Sequence, residues 1–243
     1  MQRLILRRPR LIYAILNWSG AVLALLVALK SLYPALNPLF LWISAAAAVL
    51  GSVFHGFNTA RNKHVFSVRA IKSFLRQLQA DITEDFHVSV RCNLMVVGNG
   101  TLTQAVRYPT SSTKTPIWEV GQGCCGICAK RQQPTLADLG DLKGKPYEEL
   151  LIREDHQPMW GLTREQWEHT RDLGSVVSVP IFYPSDPSSV AGVLNVDSGE
   201  CLSDWLPAER RDDFLRRVRA YAESCATFVG EGLRKEMIGD VPD

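Results

Sequence analysis

The chain has 243 residues, and 27 Lys and Arg against 25 Asp and Glu leave a net charge of +2. The two signs are interleaved and no aromatic-basic patch accompanies them, so the charge footprint of a nucleic-acid binder is excluded. Six cysteines would stay reduced in a cytoplasmic domain, so their even number is no disulfide framework.

Two apolar stretches come first, Leu11–Leu29 and Leu39–Phe57, each free of Asp, Glu, Lys and Arg. At helical rise each spans roughly 28 Å, close to the hydrocarbon core of a bilayer. Arg3, Arg7, Arg8 and Arg10 precede the first stretch, and Arg61, Lys63, Arg69 and Lys72 follow the second. Excess Lys and Arg stays inside, so the pattern predicts a multi-pass inner-membrane protein with both termini cytoplasmic and the bilayer as a partner. A signal peptide is the competing reading of the first stretch; the second stretch and the lack of a small-residue cleavage site oppose it. Small residues such as Gly20, Ala45 and Gly51 favour helix association.

From Val65 the pattern is helical. Val68, Ile71, Leu75, Leu78 and Ile82 make one apolar stripe, with neither Gly nor Pro between Asn58 and Phe86. His87–Val97 reads as a strand, Gly98-Asn99-Gly100 as a turn, and Thr101–Tyr108 as the returning strand. Pro109–Pro116 is a loop, Gly121–Gly126 opens a short helix, and Thr135–Leu139 is a short strand. Gly140–Gly161 is mostly loop with a turn near Glu148–Ile152, and Thr163–Arg171 is a short helix. Ser175–Tyr183 and Val190–Asp197 are strands apolar enough for the middle of a sheet. A long helix, Pro207–Glu236, carries Phe214, Val218, Tyr221, Cys225 and Phe228 at heptad-like steps. This stripe and the one over Val68–Ile82 either pack on the sheet or pair with a second chain; the second option, a homo-oligomer through helices, is the expectation.

Four segments in this order carry a family resemblance. Gly121-Gln122-Gly123-Cys124-Cys125-Gly126-Ile127-Cys128-Ala129 looks like a G-x-G-x-x-G-x-x-A entry into a pocket-lining helix. Gln133–Asp138 looks like the strand after it, Ser178-Val179-Pro180-Ile181 like an S-V-P-I strand, and Gly192–Ser198 like a closing G-V-L-x-x-D-S strand. Together they resemble the GAF domain over about Phe66 to Val229. The expected fold class is therefore α+β: a two-helix transmembrane hairpin followed by a GAF-like antiparallel sheet flanked by N- and C-terminal helices. Its divisions are residues 1–60 for the hairpin, 61–86 for a connecting helix, 87–202 for the sensor domain and 203–243 for the last helix and tail.

The resemblance implies a small-molecule pocket above the sheet, and its bound ligand or cofactor is unknown. Asp197-Ser198 stands where the cyclic-nucleotide class has Asn-Lys, and no Cys is followed by His as covalent tetrapyrrole attachment uses. Aromatic residues and charges in the long loop, with Trp118 before it, suit a flat polar ligand such as a nucleotide. The expected ligand contacts are Trp118, Gly123, Cys125, Asp138, Asp155 and Trp160. No metal is expected, because Cys124, Cys125 and Cys128 lack a fourth ligand nearby in sequence. GAF-fold enzymes that reduce free methionine sulfoxide resemble the chain around Gly123–Ala129 and Leu194–Ser198. Their attacking cysteine lies in the segment that here is Gly140–Gly174, which has none, so no catalytic residue and no enzyme is expected. A helix N-terminus does favour a thiolate at Cys124 or Cys125, which leaves a redox sensor as an alternative. The remaining alternative is a dimer scaffold whose pocket is filled by its own side chains. The leading expectation is a membrane-anchored cytosolic sensor coupled to the hairpin.

Overall fold

The structure, a computed structural model, describes residues 46, 50, 51, 67–110, 116–151 and 161–232. The chain divides into two compact units, Met1–Val65 and Phe66–Asp243. In the first, Ala46, Leu50 and Gly51 are helical and exposed. Among the described residues no helix is long and apolar enough to cross a membrane. On that finding the assignment as a multi-pass inner-membrane protein is corrected. The stretches that carried it, 11–29 and 39–57, otherwise lie outside the described residues, as do residues 61–66 of the expected connecting helix 61–86. The long helices among the described residues are apolar along one stripe only, whereas a span is apolar all round.

The second unit opens with helix α1, residues 67–86. Strands β1 (Val90–Gly98) and β2 (Thr101–Tyr108) follow. They turn through Asn99 and Gly100, whose φ values of 52° and 75° suit a tight hairpin turn. Then come β3 (Trp118–Glu119), α2 (Gly123–Arg131), β4 (Thr135–Asp138), α3 (Tyr147–Leu151) and α4 (Arg164–Thr170). The chain closes with β5 (Ser175–Tyr183), β6 (Asp186–Ser198), α5 (Leu202–Trp205) and α6 (Arg211–Gly232).

The strands form one six-stranded antiparallel sheet in the order β3-β2-β1-β6-β5-β4. This is the α+β, GAF-like arrangement, with β1 and β6 at its centre and β5 beside β6, inside the edge strand, as the apolar content of β5 and β6 predicts. Side chains alternate between faces along a strand, so each strand contributes to two different environments.

One face is the main core. Val90, Cys92, Leu94, Val177, Val179, Leu194 and Val196 pack there against Ile71, Leu75, Leu78 and Ile82 of α1 and Phe214, Val218, Ala222 and Cys225 of α6. Phe86, Trp205 and Phe214 meet edge to face, with centroids 5.3–6.2 Å apart. Phe74 lies by Phe228, Asp81 accepts from the Tyr221 hydroxyl at 2.5 Å, and Asp85 pairs with Arg217. That descending order of partners makes α1 and α6 antiparallel neighbours. Most of both stripes thus packs within one chain, with Val68, Tyr221 and Phe228 at its half-buried margin.

Candidate functional site

The other face of the sheet carries the site. Its apolar part packs under α2, where Cys125, Cys128 and Ala129 meet Met95, Trp118 and Val193. Gly126 allows the close approach: a Cβ there would lie 2.4 Å from the Glu119 carbonyl oxygen. Two glutamines stitch the covering segments together. Gln122 Nε2 donates to the Gly161 carbonyl at 2.9 Å, and Gln166 Nε2 donates to Gln122 Oε1 at 3.0 Å and to the Ile117 carbonyl at 2.7 Å. Gln166 also completes the capping box of α4 with Thr163. Trp167 is buried and donates from Nε1 to the Lys145 carbonyl at 2.8 Å.

Between this cover and the sheet lies a cavity of about 80 Å3. Its floor is polar, and pairing register explains why. Ser178 faces Asn195, Asn195 faces Asn93, and Asn93 faces Arg107 across four adjacent strands. One step along, Asp197 faces Arg91. Ser178 Oγ donates to Asn195 Oδ1 at 2.7 Å, Asn195 Nδ2 to Asn93 Oδ1 at 2.9 Å, and Asn93 Nδ2 to Asp197 Oδ2 at 2.8 Å. This relay satisfies the buried amides and orients the carboxylate. Apolar walls rise on both sides, from Met95, Trp118, Leu139, Leu162, Trp167 and Leu173.

The electrostatics are set by burial. Burial pushes the Asp197 carboxyl up to about 6, against the opposing pull of Arg91, Arg107 and the Asn93 amide. His169, on the roof and edge-on to Trp118 at 6.3 Å, has its pKa lowered by burial and by Arg107 and Arg91. Burial also raises the thiols: Cys125 to about 12, and Cys124 and Cys128 upward as well. The Cys124 thiol donates to the Thr135 carbonyl at 3.3 Å. The thiolate expected from the start of α2 is therefore corrected: desolvation outweighs the helix terminus, and both thiols stay protonated.

Of the expected ligand contacts, Trp118, Gly123 and Cys125 line the cavity. Asp138 does not: it accepts from the backbone N–H groups of Gly140 and Ser203, each at 3.2 Å, and holds the turn after β4. Asp155 and Trp160 lie outside the described residues. The floor residues Arg91, Asn93, Arg107, Asn195 and Asp197, and His169 on the roof, were not among the expected contacts. A signal for the floor does exist, since V-R-C-N-L and V-L-N-V-D put polar residues at every second place in otherwise apolar strands. Among the described residues no group of three or more His, Cys, Asp and Glu side chains could hold a metal ion.

No family model and no curated protein matches the chain. Solved structures do resemble it. The GAF domain region of a protein from Geobacter sulfurreducens PCA is 16% identical, covering 70% of this chain and 96% of that one with a TM-score of 0.47. The type II free methionine-R-sulfoxide reductase from Thermoplasma acidophilum is 14% identical over 70% of this chain and 96% of that one, with a TM-score of 0.46. The GAF domain of a two-component sensor histidine kinase from Bacillus halodurans is 17% identical over 65% and 91%, with a TM-score of 0.43.

Proposed function

We propose that the second unit is a GAF-like sensor that binds a small molecule in the cavity and catalyses no reaction. The observation that carries this reading is the polar floor: Asn93, Asn195 and Asp197 project from apolar strands into a cavity instead of a packed core. Burying a carboxylate on a sheet face costs stability even when one oxygen is bonded, and a ligand that engages the other offsets that cost. Open space above the floor speaks against a filled scaffold. Against a thiol reductase stands the protonated state of Cys124 and Cys125, because reduction of a sulfoxide by cysteine starts from a thiolate. The same strands bear the cavity on one face and α1 and α6 on the other, which gives occupancy a route to the helices.

Native mass spectrometry of the full chain tests the reading. The expected result is a co-purifying small molecule that is absent from Gln104→Trp, a change at the cavity wall that fills the space. An empty wild-type chain whose melting temperature no metabolite in a broad screen raises would overturn it.

A further inference from the structure

The cavity also indicates what kind of molecule it holds, an inference that rests on the sensor reading. Two guanidinium groups, Arg91 and Arg107, and one carboxyl group, Asp197, line it. Among the described residues neither arginine makes an ion pair within 4.0 Å, and Arg107 Nε is buried with no hydrogen-bond partner. The relay from Ser178 ends on Oδ2 of Asp197, while Oδ1 accepts no bond among the described residues. So the floor presents donors with positive charge on one side and an acceptor with negative charge on the other. With His169 neutral, the sum over these groups is one positive charge.

Size sets a second bound. About 80 Å3 suits a small molecule better than a bulky one. Apolar walls, with the Trp118 and Trp167 rings among them, accept a short hydrocarbon end. Guanidinium forks match a carboxylate in two-point geometry. A phosphate dianion would match them too, but its second charge would sit unbalanced beside Asp197.

We infer that the ligand is a small monocarboxylic acid carrying a hydroxyl or amine next to its carboxylate and a short apolar tail. The carboxylate lies between Arg91 and Arg107, and the adjacent donor bonds to Asp197. The tail rests against Trp118.

Titration calorimetry of the full chain near neutral pH tests this with five probes. They are 2-hydroxybutyrate, 2-aminobutyrate, butyrate, neutral 1,2-butanediol and inorganic phosphate. The expected result is binding of one or both substituted acids. Butyrate, lacking the donor, binds about tenfold to hundredfold more weakly, and diol and phosphate do not bind. Arg107→Gln and, separately, Arg91→Gln lower the affinity of the substituted acid by a similar factor, while circular dichroism shows both variants folded. Equal binding of the diol, binding of phosphate alone, or no loss in either arginine variant overturns the inference. So does an absence of heat with all five probes. If native mass spectrometry then still finds a co-purified molecule of another class, the sensor reading stands while this assignment falls.

Discussion

The two faces of the sheet come from the same strands and differ in almost every other respect. On the α1–α6 face every buried strand residue named above is apolar, and the aromatic trio of Phe86, Trp205 and Phe214 closes the packing. On the cavity face the same strands carry Arg91, Asn93, Asn195 and Asp197. Alternation is enough to separate the two chemistries by one residue. The lesson is that the first face holds the domain together, whereas the second gives up stability to keep a polar space open.

The sharpest contrast is in stability. Phe214→Ala, on the apolar face, should cost about 3–5 kcal/mol because the cavity left beside the Phe86 and Trp205 rings cannot collapse. Urea denaturation measures it, and a loss below about 1 kcal/mol would show that this face is not the main core.

Asp197→Asn should act in the opposite direction. In the fold this carboxyl keeps its proton up to about pH 6, against 3.8 without the protein around it. The folded chain therefore binds the extra proton between those values. Its contribution to stability is whole below 3.8 and is lost as pH rises through about 6. Arg91 on β1, Arg107 on β2 and the Asn93 amide pull this carboxyl back down, while the nearby Cys124 and Cys125 thiols on α2 stay neutral and are themselves raised by Asp197. The amide variant should then stabilise the ligand-free chain by about 3 kcal/mol near pH 8, fading towards pH 4. A pH series of melts decides it. Equal melting of the two proteins across the series would mean that the floor carries no such strain.

Gly126→Ala probes the cover of the cavity. The Glu119 carbonyl oxygen in its way is backbone and cannot turn aside, so a loss of about 1–3 kcal/mol is expected. A neutral outcome in urea would show the start of α2 to be looser than the structure describes. The gentlest test is alkylation. Cys92, Cys124, Cys125, Cys128 and Cys225 are buried thiols, so iodoacetamide near pH 8 should label half-buried Cys201 first and the others only on unfolding. Rapid native labelling at Cys125, read by peptide mass mapping, would reopen the redox reading.

Much of the fold was legible before the structure. The stripe on α1, the hairpin at Asn99-Gly100 and the bounds of β5 each follow from short-range rules of periodicity and turn chemistry. β6 begins earlier than Val190, at Asp186, because the polar start of the strand pairs with Tyr183 at the hairpin end. The last helix begins at Arg211 and not Pro207, since Ala208–Arg210 winds as a tighter turn. The short α5 has no periodicity to betray it.

The site was legible in part. Trp118, Gly123 and Cys125, expected as ligand contacts, do line the cavity, because they stand at or just before a glycine-rich helix start. Asp138 lies outside the cavity lining, and a carboxylate at a strand end looks the same in sequence whether it faces a ligand or two backbone N–H groups. The arginines were missed because each is unremarkable alone and they are separated by fifteen residues and a turn.

By itself the amino-acid order determined which segments are helix and strand and which side of each strand is apolar, because those are properties of neighbours a few places apart. Tertiary structure alone decided that most of both helical stripes packs inside one chain, and that Arg91, Arg107 and Asp197 share one cavity. It also decided that the Cys124 and Cys125 thiols keep their protons. Each of these depends on which residues distant in the chain exclude water from one another, and burial of that kind has no local signature.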